Sequence, residues 1–114
     1  MGSALSEFSP GKPSTYVAKP ADTNAATLYS VPTGVAQAQL VGINTAVNGA
    51  ANITVAVNNG SADYQLLWTY AMSANTQRRD TFGHPVLQAG WSLKVTTSNA
   101  DDAAFVATII EQVL

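Results

Sequence analysis

Apolar and polar residues alternate along most of the chain after residue 25. Apolar side chains occupy every second position in the segments 53–57 and 91–95, with mostly small or polar residues between them. Because successive side chains of a strand point to opposite faces, each segment predicts a strand with one buried face. Residues 1–24 show no such period and contain three prolines. The pattern predicts an extended N-terminal arm, residues 1–24, followed by a β-sandwich domain, residues 25–114.

Turn residues divide the domain into short strands. Pro32 and Gly34 mark one turn, and Asn48-Gly49 is the strongest short hairpin signal in the chain. The last segment, 103–113, would suit a helix with Asp101 and Asp102 near its start, but its β-branched residues favour a strand. The predicted strands are 27–31, 35–44, 52–57, 64–72, 76–82, 86–88, 91–97 and 103–113. This spacing predicts an all-β fold, a β-sandwich or jelly roll of seven to eight antiparallel strands.

The composition points to a surface that other protein covers. Charged residues make up 11% of the chain, against about 25% in typical globular proteins. Lys and Glu are depleted in the buried parts of interfaces, so a surface poor in both suits an assembled protein. The chain has no cysteine, which rules out disulfides and thiolate zinc sites in this sequence.

Charge and hydropathy disfavour two classes of partner. The net charge is −2, and the five Lys and Arg residues are scattered rather than clustered, so no nucleic-acid partner is expected. There is no apolar run of 18 residues and no secretory signal pattern at the N-terminus. We therefore expect a soluble protein with no membrane partner and no cleaved leader.

The residues that could support catalysis or metal binding are few. His84 is the only histidine, and it lies between Gly83 and Pro85, where a ring is expected to cap backbone groups rather than act as a base. Asp101 and Asp102 could offer oxygens to calcium, but their spacing does not match an EF-hand loop, and a solvated turn is favoured. No catalytic residue, cofactor or metal is predicted, and the protein is expected not to be an enzyme.

Aromatic residues on one strand leave two interpretations open. Tyr64, Trp68 and Tyr70 occupy alternate positions with Leu66 between them, so they are expected on one face. Because Leu66 shares that face, burial in the core is the favoured prediction. If they were exposed, they and Trp91 would form a platform for stacking sugar rings, which would make the domain a carbohydrate-binding β-sandwich.

Two groups of residues are candidates for binding other proteins. The sandwich edge carries the densest charge, which either discourages unwanted strand pairing or forms salt bridges with an adjacent subunit. These edge residues are Arg78, Arg79 and Asp80. The arm candidates are its larger apolar residues and prolines: Phe8, Pro10, Pro13, Tyr16, Val17 and Pro20.

Two short segments resemble a recurrent type of small tailed-bacteriophage structural protein. The first is Leu-Tyr-Ser-Val-Pro-Thr-Gly at 28–34, and the second is Leu-Gln-Ala-Gly-Trp-Ser-Leu-Lys-Val at 87–95. In that family a similar strand and turn opens a β-sandwich, and the second motif lies near its end. Trp91 stands where the family pattern has an acidic residue. The resemblance implies a virion component, of a type found in head decoration or cement proteins, fibres, baseplates and necks.

The hypothesis that follows is a non-enzymatic capsid decoration or cement protein. It would be made in the host cytoplasm, lie on the capsid surface, and bind the major capsid protein and neighbouring copies of itself. A homotrimer or another homo-oligomer is expected, with the arm lying across adjacent subunits. Two alternatives stay open: a tail, neck or fibre component of the virion, and the carbohydrate-binding module.

Overall fold

The computed structural model describes residues 12–113, which form two packed β-sheets. Within that range no helix is long and apolar enough to cross a membrane. Every strand pairing is antiparallel. The strands are β1 (Pro13–Ala18), β2 (Ala26–Ser30), β3 (Val35–Val47), β4 (Ala51–Asn58), β5 (Asp63–Met72), β6 (Thr76–Asp80), β7 (Val86–Gln88), β8 (Ser92–Thr97) and β9 (Ala103–Val113).

The two sheets contain five and four strands. The five-stranded sheet has the order β1-β9-β3-β6, and β7 pairs with the first part of β3. The four-stranded sheet has the order β2-β8-β4-β5. Neighbours within each sheet are distant in sequence in most cases, as in a jelly roll, so the fold depends on long-range pairing.

The core lies between the sheets and follows the alternation seen in the sequence. In β8 and in residues 103–109 of β9 every second residue is buried, because these central strands show one face to the opposite sheet. The largest of the fully buried side chains are Phe105, Leu40, Ile43, Ile53, Leu87, Leu93 and Ile109. Their burial supplies the main driving force for folding.

The predicted all-β sandwich is confirmed. Each of the eight predicted segments contains an observed strand, with ends that differ by up to three residues. The final segment is strand β9 rather than a helix. A ninth strand, β1, lies in the stretch that the sequence pattern assigned to the arm.

Strand β1 belongs to the five-stranded sheet of its own chain. It pairs with β9 along its whole length, from Pro13 opposite Ile110 to Ala18 opposite Phe105. Proline lacks a backbone donor, but β1 is an edge strand, where that loss is tolerated. The stretch 13–18, placed in the arm by its lack of period, is thus part of the described sandwich, and the preceding residues 1–11 lie outside the described range.

The hairpin predicted at Asn48-Gly49 is wrong. Strand β3 ends before this turn in one sheet, and β4 begins after it in the other. Asp102 Oδ2 accepts a hydrogen bond from Gly49 N at 2.9 Å, and a Cβ at Gly49 would lie 2.8 Å from Asn99 Nδ2. The turn is therefore a crossover held by the 98–102 loop. Both flanking strands carry apolar inner faces, which are buried by facing each other.

Candidate functional site

Strand β5 departs from regular pairing at two places. Ile53 of the partner strand β4 pairs with Tyr70, and Val55 pairs with Leu67. The step is two residues in β4 and three in β5, so β5 has one extra residue here. A second extra residue lies between Leu67 and Gln65, opposite Val55 and Ala56. Each such bulge reverses which face the next side chains point to.

The predicted burial of the β5 aromatics is therefore wrong. Trp68 is 72% exposed, Tyr64 56% and Tyr70 42%. They do not share one face either. Tyr64 and Tyr70 pair with residues of the inner face. Leu67 pairs with buried Val55 and therefore points inward. Trp68 is the next residue, so it points to the outer face of the four-stranded sheet. The two bulges, invisible in the sequence period, turn Trp68 outward, whereas Tyr64 and Tyr70 are exposed on β5 as the edge strand of its sheet.

The outer face of the four-stranded sheet carries hydroxyl and amide residues next to the β5 bulge. A shallow depression of about 370 Å³ lies on this face, next to the bulge that follows Trp68. We call it the hydroxyl depression. Residues from the 19–25 loop, β4, β5, β8 and the position after β8 line it: Thr23, Asn52, Thr54, Thr69, Thr96, Thr97 and Ser98.

Hydrogen bonds to the backbone hold several of these side chains in place. Thr54 Oγ1 accepts a bond from Thr69 N at 3.1 Å, and Ser98 Oγ accepts one from Asn52 N at 2.8 Å. Thr69 has a φ of +48°, a conformation that β-branched residues rarely adopt. The bulge thus keeps a strained residue at the edge of the depression.

The outer face of the five-stranded sheet has a different chemistry. By register, Arg79 is the one charged residue among the strand positions of this face within residues 12–113. Val17 lies directly opposite Val106, and the two are 72% and 36% exposed. We call this surface the aliphatic face. Its other members are Pro13, Thr15, Gln37, Gln39, Gly42, Asn44, Ala46, Gln77, Val86, Gln88, Ala104, Thr108, Ile110 and Gln112.

The described arm candidates occupy different environments. Pro13 and Val17 are exposed, Tyr16 is half-buried and Pro20 is buried. The carbonyl of Pro20 accepts a hydrogen bond from Asp101 N at 2.9 Å, which ties the segment after β1 to the 98–102 loop. The remaining two candidates, Phe8 and Pro10, lie outside the described residues.

Tyr16 joins a cluster within its own chain. Its ring meets that of Tyr29 edge-on, with 4.6 Å between the ring centres, and both hydroxyls donate to Glu111 Oε2, at 3.3 Å and 2.7 Å respectively. Burial and the neighbouring Glu111 carboxylate raise the pKa of Tyr16 and, far more, that of Tyr29. The cluster links β1 to β2 and β9.

The charged edge residues are split between two faces. Arg78 and Asp80 form an ion pair on β6, and the Arg78 guanidinium lies 4.2 Å from the centre of the Tyr70 ring. Together they close the gap between β6 and β5 at this side of the sandwich. Arg79 points to the aliphatic face instead, because it pairs with Asn44 there.

His84 lies in the turn expected from its neighbours. It has a φ of +55°, and its Nδ1 lies 3.3 Å from the carbonyl oxygen of Leu40, so the ring contacts a backbone group. Among residues 12–113 there is no group of three or more His, Cys, Asp or Glu side chains placed to hold a metal ion.

The comparisons with known proteins show the fold. No protein-family profile and no curated protein sequence matches the chain. A chain of the disulfide-linked pili that form Bacillus endospore appendages is 11% identical, with a TM-score of 0.56 over 95% of this chain and 94% of that one.

Two further solved structures have a similar fold. The Drosophila NLP core is 10% identical, with a TM-score of 0.50 over 83% of this chain and 95% of that one. A cyanophage Pam1 capsid chain is 14% identical, with a TM-score of 0.49 over 90% and 86%, a likeness too low to carry an argument. At these identities the shared feature is the two-sheet β fold.

Sequence reasoning missed the side chains that build the hydroxyl depression and the Glu111 cluster. The threonines and serines looked like ordinary outward positions of strands. A signal was present in the alternation: Thr54 and Thr96 occupy the outward positions of segments whose inward positions are buried. Their proximity depends on the pairing of β4 with β8, which local sequence does not specify.

Proposed function

We propose that the chain is a structural, non-enzymatic component of a bacteriophage virion, and that it decorates or cements the head. In this proposal the aliphatic face packs on the major capsid protein, and residues 1–11 reach neighbouring copies. The chain acts as a homotrimer or another homo-oligomer on the capsid surface. The motif resemblance at 28–34 and 87–95 supports a virion role.

The observation that carries the proposal is the composition of the aliphatic face. Val17 and Val106, paired between β1 and β9 at one side of this face, are exposed, and one charge among its strand residues is fewer than a solvated surface normally carries. Exposed apolar area rimmed by amides, with few charges, is typical of a surface that another protein covers.

The position of β1 supports a role for the preceding residues. Strand β1 is the edge of the five-stranded sheet, and Val17 on this strand belongs to the aliphatic face. The strand that follows residues 1–11 in the chain therefore carries part of the surface that we assign to the capsid. Many copies, each with a second attachment, would bind a lattice far more tightly than one contact allows. Two of the similar folds come from proteins described as forming pili and pentamers, which is compatible with assembly.

Binding to particles that lack the protein tests this proposal. Purified chain is added to heads from a deletion mutant of the source phage, the heads are sedimented, and bound copies are counted by quantitative mass spectrometry. We expect hundreds of copies per head. Val17→Glu should reduce the affinity at least about tenfold, because it buries an unpaired charge, and deletion of residues 2–11 should weaken binding as well.

Ser30→Glu is the matched control, since Ser30 is exposed on β2 in the other sheet and should not affect head binding. All variants are first compared with the full chain by thermal unfolding. Equal binding of Val17→Glu and the full chain would contradict the role of the aliphatic face. A copy number of six or twelve per particle would instead place the protein in the tail or neck.

A further inference from the structure

We infer that the hydroxyl depression, with Trp68 beside it, is a binding site for a neutral oligosaccharide. This inference goes beyond the structural role proposed above and depends on a different surface. The aliphatic face belongs to the five-stranded sheet, whereas the depression lies on the outer face of the four-stranded sheet. A chain attached to a particle through the first surface would leave the second available.

The exposed indole is the first argument. Trp68 is 72% exposed although it lies within strand β5, and large aromatic side chains are normally buried to a high degree. The bulges in β5 turn this residue outward, and bulges are frequent where a strand re-aims a side chain for binding. A flat apolar ring presented to solvent can stack on the C–H face of a pyranose.

The chemistry of the lining is the second argument. Sugars offer hydroxyl groups that both donate and accept hydrogen bonds, and the side chains around the depression do the same. None of the residues that line it is charged. Lys94, on the same outer face two positions before Thr96, already donates from its Nζ to Thr27 Oγ1 at 2.8 Å, so the lining itself offers an anionic polymer no cation. Neutral sugars fit this set of groups best.

The hydrogen-bond pattern leaves these groups free to bind. Thr54 Oγ1 and Ser98 Oγ accept bonds from backbone amides, which orients the oxygens and leaves each hydroxyl proton available to a ligand. Within residues 12–113 the amide group of Asn52 and the hydroxyl of Thr96 make no side-chain hydrogen bond. These donors can therefore bind a ligand without losing an internal partner.

The size and shape of the site favour an oligosaccharide. Its volume of about 370 Å³ lies in the range of small-molecule sites, roughly 300 to 1,000 Å³. The depression is shallow and open at the surface, so a linear chain of sugars could pass over it and continue across Trp68. A protein partner at a tryptophan would be expected to meet an apolar surround, whereas the depression next to Trp68 in the chain is lined by hydroxyl and amide residues.

Fluorescence titration tests the inference. Trp91→Phe leaves Trp68 as the single indole reporter. This variant is titrated with hexasaccharides of β-1,4-glucose, α-1,4-glucose, β-1,4-mannose and β-1,4-N-acetylglucosamine, up to about 10 mM, a range that detects weak binding. We expect a saturable blue shift with at least one sugar, because stacking removes water from the ring.

Variants then assign the binding to this site, using calorimetry with the sugar that binds. Trp68→Ala should weaken the affinity about tenfold, and Thr54→Ala about threefold to tenfold, for a lost stacking partner and a lost hydrogen bond respectively. Tyr64→Ala is the matched control, because it removes an exposed aromatic from the same strand but from the opposite face, and should bind the sugar normally.

Three outcomes would overturn the inference. The first is no spectral shift with any of the four sugars. The second is equal weakening by Tyr64→Ala and Trp68→Ala. The third is that the parent binds no sugar and that Trp68→Ala loses self-association, measured by sedimentation velocity. This result would make Trp68 a subunit contact. Failure of the head-binding experiment above would leave these results unaffected, since it tests Val17 and residues 2–11.

Discussion

Glu111 shows how one carboxylate can hold three strands. It lies on β9 and accepts hydrogen bonds from tyrosines on β1 and β2. Tyr29 is only 3% exposed, so its hydroxyl needs a partner inside the protein, and a charge-assisted bond is stronger than a neutral one. A single residue thereby fixes the edge strand β1 to both sheets of the sandwich.

The cluster gives the protein a defined response to high pH. Burial and Glu111 raise the pKa of Tyr29 well above its usual value, which is about 10 in an unfolded chain. Folding favours the neutral form of Tyr29. The contribution of Tyr29 to the free energy of unfolding is therefore complete below pH 10 and is lost as the pH rises toward the pKa of Tyr29 in the folded protein. In urea unfolding at pH 8, we expect Tyr29→Phe to be about 1.5 kcal/mol less stable than the parent.

Above pH 10 that difference in unfolding free energy should shrink, because the parent loses the interaction that the variant lacks. Tyr64→Phe, at an exposed position, serves as the control and should match the parent throughout. A difference between Tyr29→Phe and the parent that stays constant from pH 8 to pH 11.5 would contradict the role of the Glu111 bond.

At the level of single residues, the sequence predicted behaviour where local rules decide it. His84 lies in a turn and contacts a backbone carbonyl, as its glycine and proline neighbours indicated. The exposure of Trp68 was not predictable, because it depends on two extra residues in β5 whose position is set by pairing with β4. A strict period of two assumes a regular strand.

At the level of elements, the crossover from β3 to β4 depends on a loop distant in sequence. Asp102 Oδ2 accepts two hydrogen bonds, one from Gly49 N and one from Asn99 Nδ2 at 3.4 Å. Asn48 contributes its carbonyl oxygen to Asn75 N at 2.8 Å. The turn is thus fixed from both sides, and the chain passes from one sheet to the other in three residues.

Removing the Asp102 carboxylate should loosen this crossover. Asp102→Ala leaves the half-buried Gly49 amide without its acceptor, so we expect a loss of about 1 to 3 kcal/mol in unfolding free energy. Asp101→Asn is the control, since Asp101 is exposed and asparagine tolerates its φ of +57°. Thermal and urea unfolding measure both. Equal stability of the two variants would show that the loop does not support the turn.

Strand positions were predictable from the sequence, but strand partners were only partly so. Alternation of apolar residues reports which segments are extended and half-buried, and this placed all strands from β2 to β9. The Asn48-Gly49 signal describes a tight turn and not the sheet that the next strand joins. Strand β1 was missed because an edge strand with exposed residues on most positions needs no apolar period.

At the level of the whole molecule, the two outer faces have different compositions. The aliphatic face carries exposed valines and amides, and the opposite outer face carries hydroxyls and Trp68. A sandwich only two sheets thick thus presents two unlike surfaces on opposite sides. Chemical differences of this kind allow one molecule to contact two unlike partners at once.

Two truncations locate the start of the folded domain. Deletion of residues 2–11 should leave the melting temperature unchanged, because the two described sheets are complete without them. Deletion of residues 2–18 removes β1 and the Tyr16 hydroxyl bond and exposes the edge of β9, so unfolding free energy should fall by about 2 kcal/mol or more. Differential scanning calorimetry distinguishes them. Equal melting of both truncations would place the domain boundary near residue 24, as the sequence period suggested.

The paired insertions in β5 have a consequence for how the protein can vary. A single added residue would reverse the face of every side chain from that point to the end of the strand. Two added residues cancel this reversal, so that Met72 again points to the inner face, where it is buried. Only the short window between them is rotated. Substitutions within this window, at Trp68 above all, can therefore change the chemistry of the outer surface while Met72 keeps its place in the core.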